Sequence, residues 1–541
     1  MKAYFEKNKR DLLCFAVLFS ALLLRISWFG PEYYLQLDDY IHYRAYPAGT
    51  DFVKLCIENG LFTSRPLAAL MDLVFWARIP LYLSSVLLCA MYAAAGILFL
   101  RIFRRYFGTS LFFLVIFALL PLGFEGTYWH AAATRILPPM LFSALALTAF
   151  DRFLETKRLY QLPLFLGWSL LSFCFYEQML VLSLALSLML MLLGFLQRKW
   201  HSVWGLSVFL PVAAYVGITG FFSGLAQGQL SSRMQVVLPT DPTYFTDHLP
   251  RLTKQLQECF LDGGWLTLIR GFRRGLELIV SEGIWAAALI AALAALIFLG
   301  VRKSPWEPVK LFHLAPIFGF LAALAPITPF LIIAKPWVCL RSTVPSFLGL
   351  ALLADYLLRL MLKNRLAAVT AVLVSVCMVA SVSELHDYRS VAQTNAQVAQ
   401  VILAADEELE LRGKVGILGL NQQYTQEQNY LYHDHVLSAH ASDWALTGLL
   451  QYYAAGDEIS FVPTPLAVDQ EHYWYSWNKT SRDVTAYDTL LLYDHPAGSL
   501  VHLTVEQTDD TQWLLYDDAG VLRARVWEDE HGFGNIEFYQ S

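Results

Sequence analysis

The residues best suited to chemistry stand together in Leu37-Asp38-Asp39-Tyr40-Ile41-His42-Tyr43-Arg44. Two adjacent carboxylates repel each other, so the pair favours a proton, a cation or a hydroxyl group between or beside its members. One of them can act as a general base toward an acceptor hydroxyl. Its neighbour then caps a local helix, holds a cation or orients Arg44. Asp39 is the expected base, because Asp38 is better placed to cap a helix running on from Tyr40. A capped helix start with no chemistry is the commoner use of such a dipeptide. A divalent cation, Mg²⁺ or Mn²⁺, is the one cofactor the pair allows, and two carboxylates are a thin ligand set for it.

Further candidates lie in short polar connections between apolar runs. Glu125-Gly126-Thr127-Tyr128-Trp129-His130 runs on to Arg135. Tyr128 and Trp129 offer ring faces for a sugar or serve as interfacial belt residues, while His130 and Arg135 suit a phosphate. Glu177 sits in a turn of its own between two apolar stretches, as a sugar or acceptor contact or simply a surface charge. Lys335 and Arg341 flank Pro336-Trp337, as phosphate ligands or headgroup anchors. Arg65 lies in Gly60-Leu61-Phe62-Thr63-Ser64-Arg65-Pro66-Leu67, and Arg270, Arg273 and Arg274 punctuate an apolar helical pattern over 265–280. That pattern predicts a helix lying in the membrane interface, its arginines toward anionic lipid.

The elements that must position these groups follow from composition. Of 541 residues, 56% are apolar and only 16% charged, and mean hydropathy is +0.45. Soluble domains carry about 25% charged residues, so an ordinary cytosolic enzyme and a disordered chain are both excluded. From residue 385 onward there are 24 Asp and Glu against 7 Lys and Arg, a net of −17; the preceding part carries 32 Lys and Arg against 21 Asp and Glu, a net of +11. Two regions suited to different solvents are therefore joined near 385, and the acidic one excludes nucleic acid as a partner. The seven cysteines are scattered through the apolar part without a metal-binding spacing.

Apolar runs at 12–24, 81–100, 109–124, 136–150, 162–176, 179–196, 203–222, 284–300, 311–334, 343–358 and 366–383 predict eleven transmembrane helices. Arg25 is expected at the interface end of the first, and a hairpin turns at Tyr176-Glu177-Gln178. Basic residues recur in alternate connections, which places the N-terminus in the cytoplasm and the acidic tail outside. The loops 30–80 and 223–283 are then outer loops. The fold expected is mainly α: a polytopic helical membrane domain over 1–385 and an extracytoplasmic acidic α/β domain over 386–541. In the latter, strands are expected at 414–420, 459–462, 489–493, 500–505, 512–516, 521–527 and 534–539, with helices at 391–412 and 442–455.

An aspartate pair after the first helix, followed by Ser64-Arg65-Pro66-Leu67 before the second, resembles the GT-C superfamily of polytopic glycosyltransferases, and within it the bacterial GtrII-like glucosyltransferase group. The likeness covers about residues 1–200. It implies a polyprenyl-phosphate-linked sugar as donor, a cell-envelope glycan, lipid or protein as acceptor, an active site on the outer face, and Asp38 or Asp39 as the catalytic carboxylate. Arg65 and Arg135 are the expected donor-phosphate ligands, with Lys335, Arg341 or the 270–274 cluster in support. The competing classes are a polysaccharide polymerase, a flippase or transporter of envelope glycans, and a non-catalytic membrane protein. A transporter would be expected to carry internal repeats and mid-membrane charges, which the sequence does not display.

Overall fold

The computed structural model describes residues 2–40, 54, 57, 60–225, 235–282, 285–303, 309–334, 336–362, 365–420, 438–454, 459–469, 472–475, 483–494, 497–528 and 534–539. The chain divides into two compact units: Met1–Tyr33 with Asp51–Leu385, and Tyr34–Thr50 with His386–Ser541. The later boundary falls where the charge balance reverses. The segment beginning at Tyr34, which carries the aspartate pair, groups with the C-terminal unit although it lies early in the sequence.

The first unit is helical. Among the described residues seven helices are long and apolar enough to cross a membrane: Leu81–Phe107, His130–Thr156, Glu177–Leu196, Trp200–Ser223, Phe312–Leu331, Leu340–Leu362 and Leu366–Leu409. Large apolar side chains such as Leu192, Val216, Phe221, Ile317 and Phe320 stand exposed on these helices. That is the surface a membrane helix turns to lipid. The architecture is that of a helical membrane protein.

Of the other four expected spans, 12–24 lies within the helix Lys2–Ile26 and 284–300 within Trp285–Arg302, while the remaining two are short or broken. Gln161–Phe173 has 13 residues and reaches only about 20 Å at the helical rise, short of a bilayer core of about 30 Å. The run 109–124 breaks into Phe112–Leu119, a 3₁₀ turn Pro121–Gly123 and Phe124–Tyr128. Pro121 forces this, because Leu120 before it is extended (φ −57°, ψ 128°). Arg25, at the end of the first helix, is buried and donates to Ala118 O at 3.2 Å and Leu120 O at 3.3 Å. It satisfies carbonyls that the broken helix leaves open.

Residues 244–282 form one long amphipathic helix with an unusual feature: three wide π turns, at Tyr244–His248, Glu258–Asp262 and Leu266–Arg270. Leu252, Cys259, Gly263, Thr267 and Ile279 are buried, while Phe245, Leu261, Trp265 and Val280 are exposed. The expected interfacial helix thus begins about twenty residues before its clearest apolar pattern.

The second unit is β-rich. Eight strands close into a barrel in the order β1-β2-β3-β8-β7-β6-β5-β4. They are β1 (Gly413–Leu418), β2 (Phe461–Asp469), β3 (His472–Tyr475), β4 (Thr489–Asp494), β5 (Ser499–Asp509), β6 (Gln512–Asp517), β7 (Leu522–Glu528) and β8 (Gly534–Phe538). β1 pairs in parallel with β2 and β4, and every other pairing is antiparallel. That central place explains why Val415–Leu418 is apolar throughout instead of alternating. Leu466, Leu490, Leu515, Val526 and Ile536 fill the core. The helix Asp443–Tyr453 belongs to this unit, as does the later part of Leu366–Leu409, which runs on past 385 without a break.

Candidate functional site

Arg65 is set by a broken helix. Leu61–Ser64 ends and Pro66–Val74 begins on either side of it, since Pro66 fits only the first turn of a new helix. Arg65 itself is non-helical (φ −135°, ψ 55°). A backbone bond from Leu67 N to Cys174 O at 2.9 Å ties this corner to the loop ahead of Glu177–Leu196. The guanidinium lies 4.4 Å from the Tyr176 ring centre, and Nε donates to Glu177 Oε2 at 3.3 Å. Glu177 occupies the first turn of its helix, where the dipole favours a negative charge. The two terminal nitrogens of Arg65 have no hydrogen-bond partner among the described residues.

Arg341 repeats the arrangement in a drier setting. It projects from the 3₁₀ helix Leu340–Ser346, donates to Glu125 Oε1 at 3.2 Å and lies 4.7 Å from the Trp129 ring centre. Gly126 makes the approach feasible, since a Cβ there would meet Val344 Cγ2 at 2.7 Å and Arg341 O at 2.9 Å. Glu125 is fully buried. Arg341 and Arg65 are close enough for their charges to repel, and such a pair is stabilised by an anion.

Arg135 holds a third pair, from Nη2 to Asp72 Oδ2 at 3.1 Å, and its Nη1 also meets Ala131 O. His130 is buried, its backbone N–H donating to Tyr33 Oη at 2.7 Å and its ring edge-on to Trp76 at 5.8 Å. Tyr128 stacks on Tyr33 at 5.0 Å, and both Tyr128 and Trp129 are buried. Their faces are occupied by Tyr33 and Arg341, which leaves them as walls of the cluster instead of open platforms for a sugar.

Thus Arg65, Glu177 and Arg341 are brought into one neighbourhood, and Tyr128, Trp129, His130 and Arg135 line the same part of the first unit. Asp72 is a carboxylate that sequence reasoning missed. Its signal was a lone acid inside the apolar run Ala68–Val74. The 270–274 arginines sit apart on the amphipathic helix: Arg273 is exposed and pairs with Glu277 at 3.3 Å, while Arg270 and Arg274 are half-buried. His42, Arg44 and Lys335 lie outside the described residues. Among the described residues no group of three or more His, Cys, Asp or Glu is arranged to hold a metal.

The aspartate pair belongs to the second unit, and its members differ. Leu37 adopts the left-handed region (φ 41°), a conformation costing a leucine about 1–2 kcal/mol. Asp39 N donates to Gln36 O at 2.9 Å, and Gln36 N donates to Asp39 Oδ2 at 3.1 Å. Asp39 is therefore the turn's own clamp and is fully buried. Tyr40, also fully buried, packs edge-on to Tyr452 at 5.9 Å, and burial pushes its phenol well above the ordinary value. Asp38 is half-buried and accepts from Trp444 Nε1 at 3.2 Å. The helix already begins at Asp38, so Asp38 does not precede it as the expected cap, and the neighbouring Asp39 carboxylate instead reaches back to Gln36 N.

Comparisons with protein-family models, curated proteins and solved structures found no match to this chain.

Proposed function

We propose that this protein is a membrane glycosyltransferase that moves a sugar from a polyprenyl-phosphate donor to a cell-envelope glycan, lipid or protein acceptor at the outer face of the membrane. The observation that carries this reading is Arg65: anchored on Glu177 and Tyr176, beside a second arginine, with both terminal nitrogens open. A planar fork with two parallel donors matches a phosphate oxygen pair and stabilises the charge that gathers on it as the sugar leaves. An isoprenoid tail is an apolar companion suited to a unit whose helices present leucine and phenylalanine outward.

The base falls to the aspartate pair, as the family resemblance implies, and the burial pattern favours Asp38 over Asp39 for contact with an acceptor. A divalent cation is not required, because the arginines supply positive charge. On this reading the chain crosses the membrane an odd number of times, eleven by the sequence pattern, with a cytoplasmic N-terminus and the acidic unit outside. A reporter fused after residue 385 that signals from the cytoplasm would remove the outer-face assignment.

The decisive measurement is transfer of labelled sugar from a polyprenyl-phosphate donor by the full chain in nanodiscs. Arg65→Ala is expected to raise the donor KM about tenfold, equivalent to about 1.4 kcal/mol. Asp38→Asn is expected to lower transfer about a thousandfold, to a small residual rate, with donor binding retained. Normal transfer by the Asp38→Asn/Asp39→Asn double variant would overturn the mechanism.

A further inference from the structure

We infer that the C-terminal unit sets the direction of the Asp38 carboxylate, and that Trp444 is the positioning residue through which it does so; this rests on the reading that Asp38 serves sugar transfer. The two residues are 406 positions apart in sequence, and both belong to the second unit.

Three fixed points define the geometry. The left-handed Leu37 and the reciprocal Gln36–Asp39 bonds hold the turn before Asp38. Tyr40 holds it from behind, fully buried against Tyr452 and hydrogen-bonded to Asn395. Trp444 then fixes the carboxylate itself, its indole N–H on Oδ1. Trp444 is in turn placed in the first turn of Asp443–Tyr453, with its backbone N–H donating to Asp443 Oδ1 at 2.9 Å. The remaining oxygen, Oδ2, has no hydrogen-bond partner among the described residues.

A strained backbone kept in place by surrounding contacts is a recurrent mark of a functional position. Here the strain adjoins the one member of the pair that is not enclosed. With Oδ1 engaged by the indole and the carboxylate plane fixed, Oδ2 is the oxygen left open to accept a proton. In the transfer step Oδ2 takes the acceptor hydroxyl proton as that oxygen bonds to the anomeric carbon. The bond from that carbon to the donor phosphate oxygen breaks, and the phosphate leaves with the electron pair. Orientation of a base within a few tenths of an ångström is what a rigid neighbour supplies.

The test is Trp444→Phe in the full chain, which keeps an aromatic ring and removes the donor. We expect kcat to fall about tenfold or more with donor KM and Tm held, Trp444→His to recover part of the loss, and Trp444→Phe to have no further effect in an Asp38→Asn background. An unchanged kcat, a loss that tracks Tm, or an equal loss of residual activity in both backgrounds overturns the inference. A second readout does not depend on transfer: carbodiimide labelling of Asp38, read by mass spectrometry against Asp483, an exposed carboxylate that accepts from Thr485 N at 2.8 Å, as a control. It should rise severalfold in Trp444→Phe, and equal labelling would overturn the inference. If the unaltered chain transfers no sugar while this labelling changes, the glycosyltransferase reading fails and the positioning role stands as a structural one.

Discussion

The Arg65 and Arg341 sites are built from the same three parts, a guanidinium, a glutamate and an aromatic ring, yet they differ in exposure. Arg65 and Glu177 keep 38% and 32% of their side chains exposed, whereas Arg341 and Glu125 keep 23% and 0%. An exposed ion pair contributes about 0–1 kcal/mol, but breaking a buried one strands a charge and costs about 3–5 kcal/mol. The same chemistry is therefore architecture in one place and an available binding group in the other.

The largest effect should come from the enclosed site. Arg341→Ala is expected to destabilise the first unit by about 3–5 kcal/mol, seen as a lower Tm in detergent. Arg341→Met with Glu125→Gln, which removes both charges, should regain most of it. If Arg341→Ala were as stable as the parent, the contrast with Arg65 would collapse. Asp72→Asn should fall between the two sites. It removes a charge-assisted bond to Arg135 at 3.1 Å, for a loss of about 1–3 kcal/mol by the same melting measurement. Arg65→Ala should be the mildest of these in stability, at about 0–1 kcal/mol, although it has the clearest effect on donor KM.

The smallest effect belongs to the barrel. Asp517 accepts from Val521 N at 2.8 Å, and that bond, with Arg523 Nε at 2.8 Å, holds its carboxyl below the usual value. A depressed carboxyl stabilises the fold above its unfolded value of about 3.9 and loses that contribution as pH falls through the folded value. Amide exchange over 518–521 should accelerate below about pH 4 relative to the rest of the barrel. In Asp517→Asn the exchange there should be fast already at pH 6 and gain nothing further on acidification.

Much of the second unit was legible because its signals are local. The apolar run in β1, the alternation in β6 and the Asp517–Gly520 turn each act within a few residues. β3 escaped because it is four residues long in a polar, aromatic stretch. In the first unit the apolar runs were visible but their continuity was not. Pro121, Pro326, Pro329 and Pro345 lie in 3₁₀ segments, so an apolar run does not equal a straight helix. The arginine and aromatic candidates were legible by residue type at helix ends. What could not be read was which aspartate of the pair is enclosed, since that depends on a left-handed leucine and on a tryptophan near the far end of the chain.

The three π turns of the 244–282 helix carry a consequence for length variation. A π turn holds one residue more than an α turn, so each is a place where a single insertion has been absorbed without ending the helix. Removing one residue from Leu266–Arg270 would return it to an ordinary turn and leave the residues after it on their present faces. Gly275, where a Cβ would clash with Val379 O, would keep its place, whereas a deletion in an ordinary turn before it would rotate it away by about 100° and bring a bulkier residue to that carbonyl. The helix thus tolerates a one-residue deletion at its wide turns better than in the ordinary turns between them.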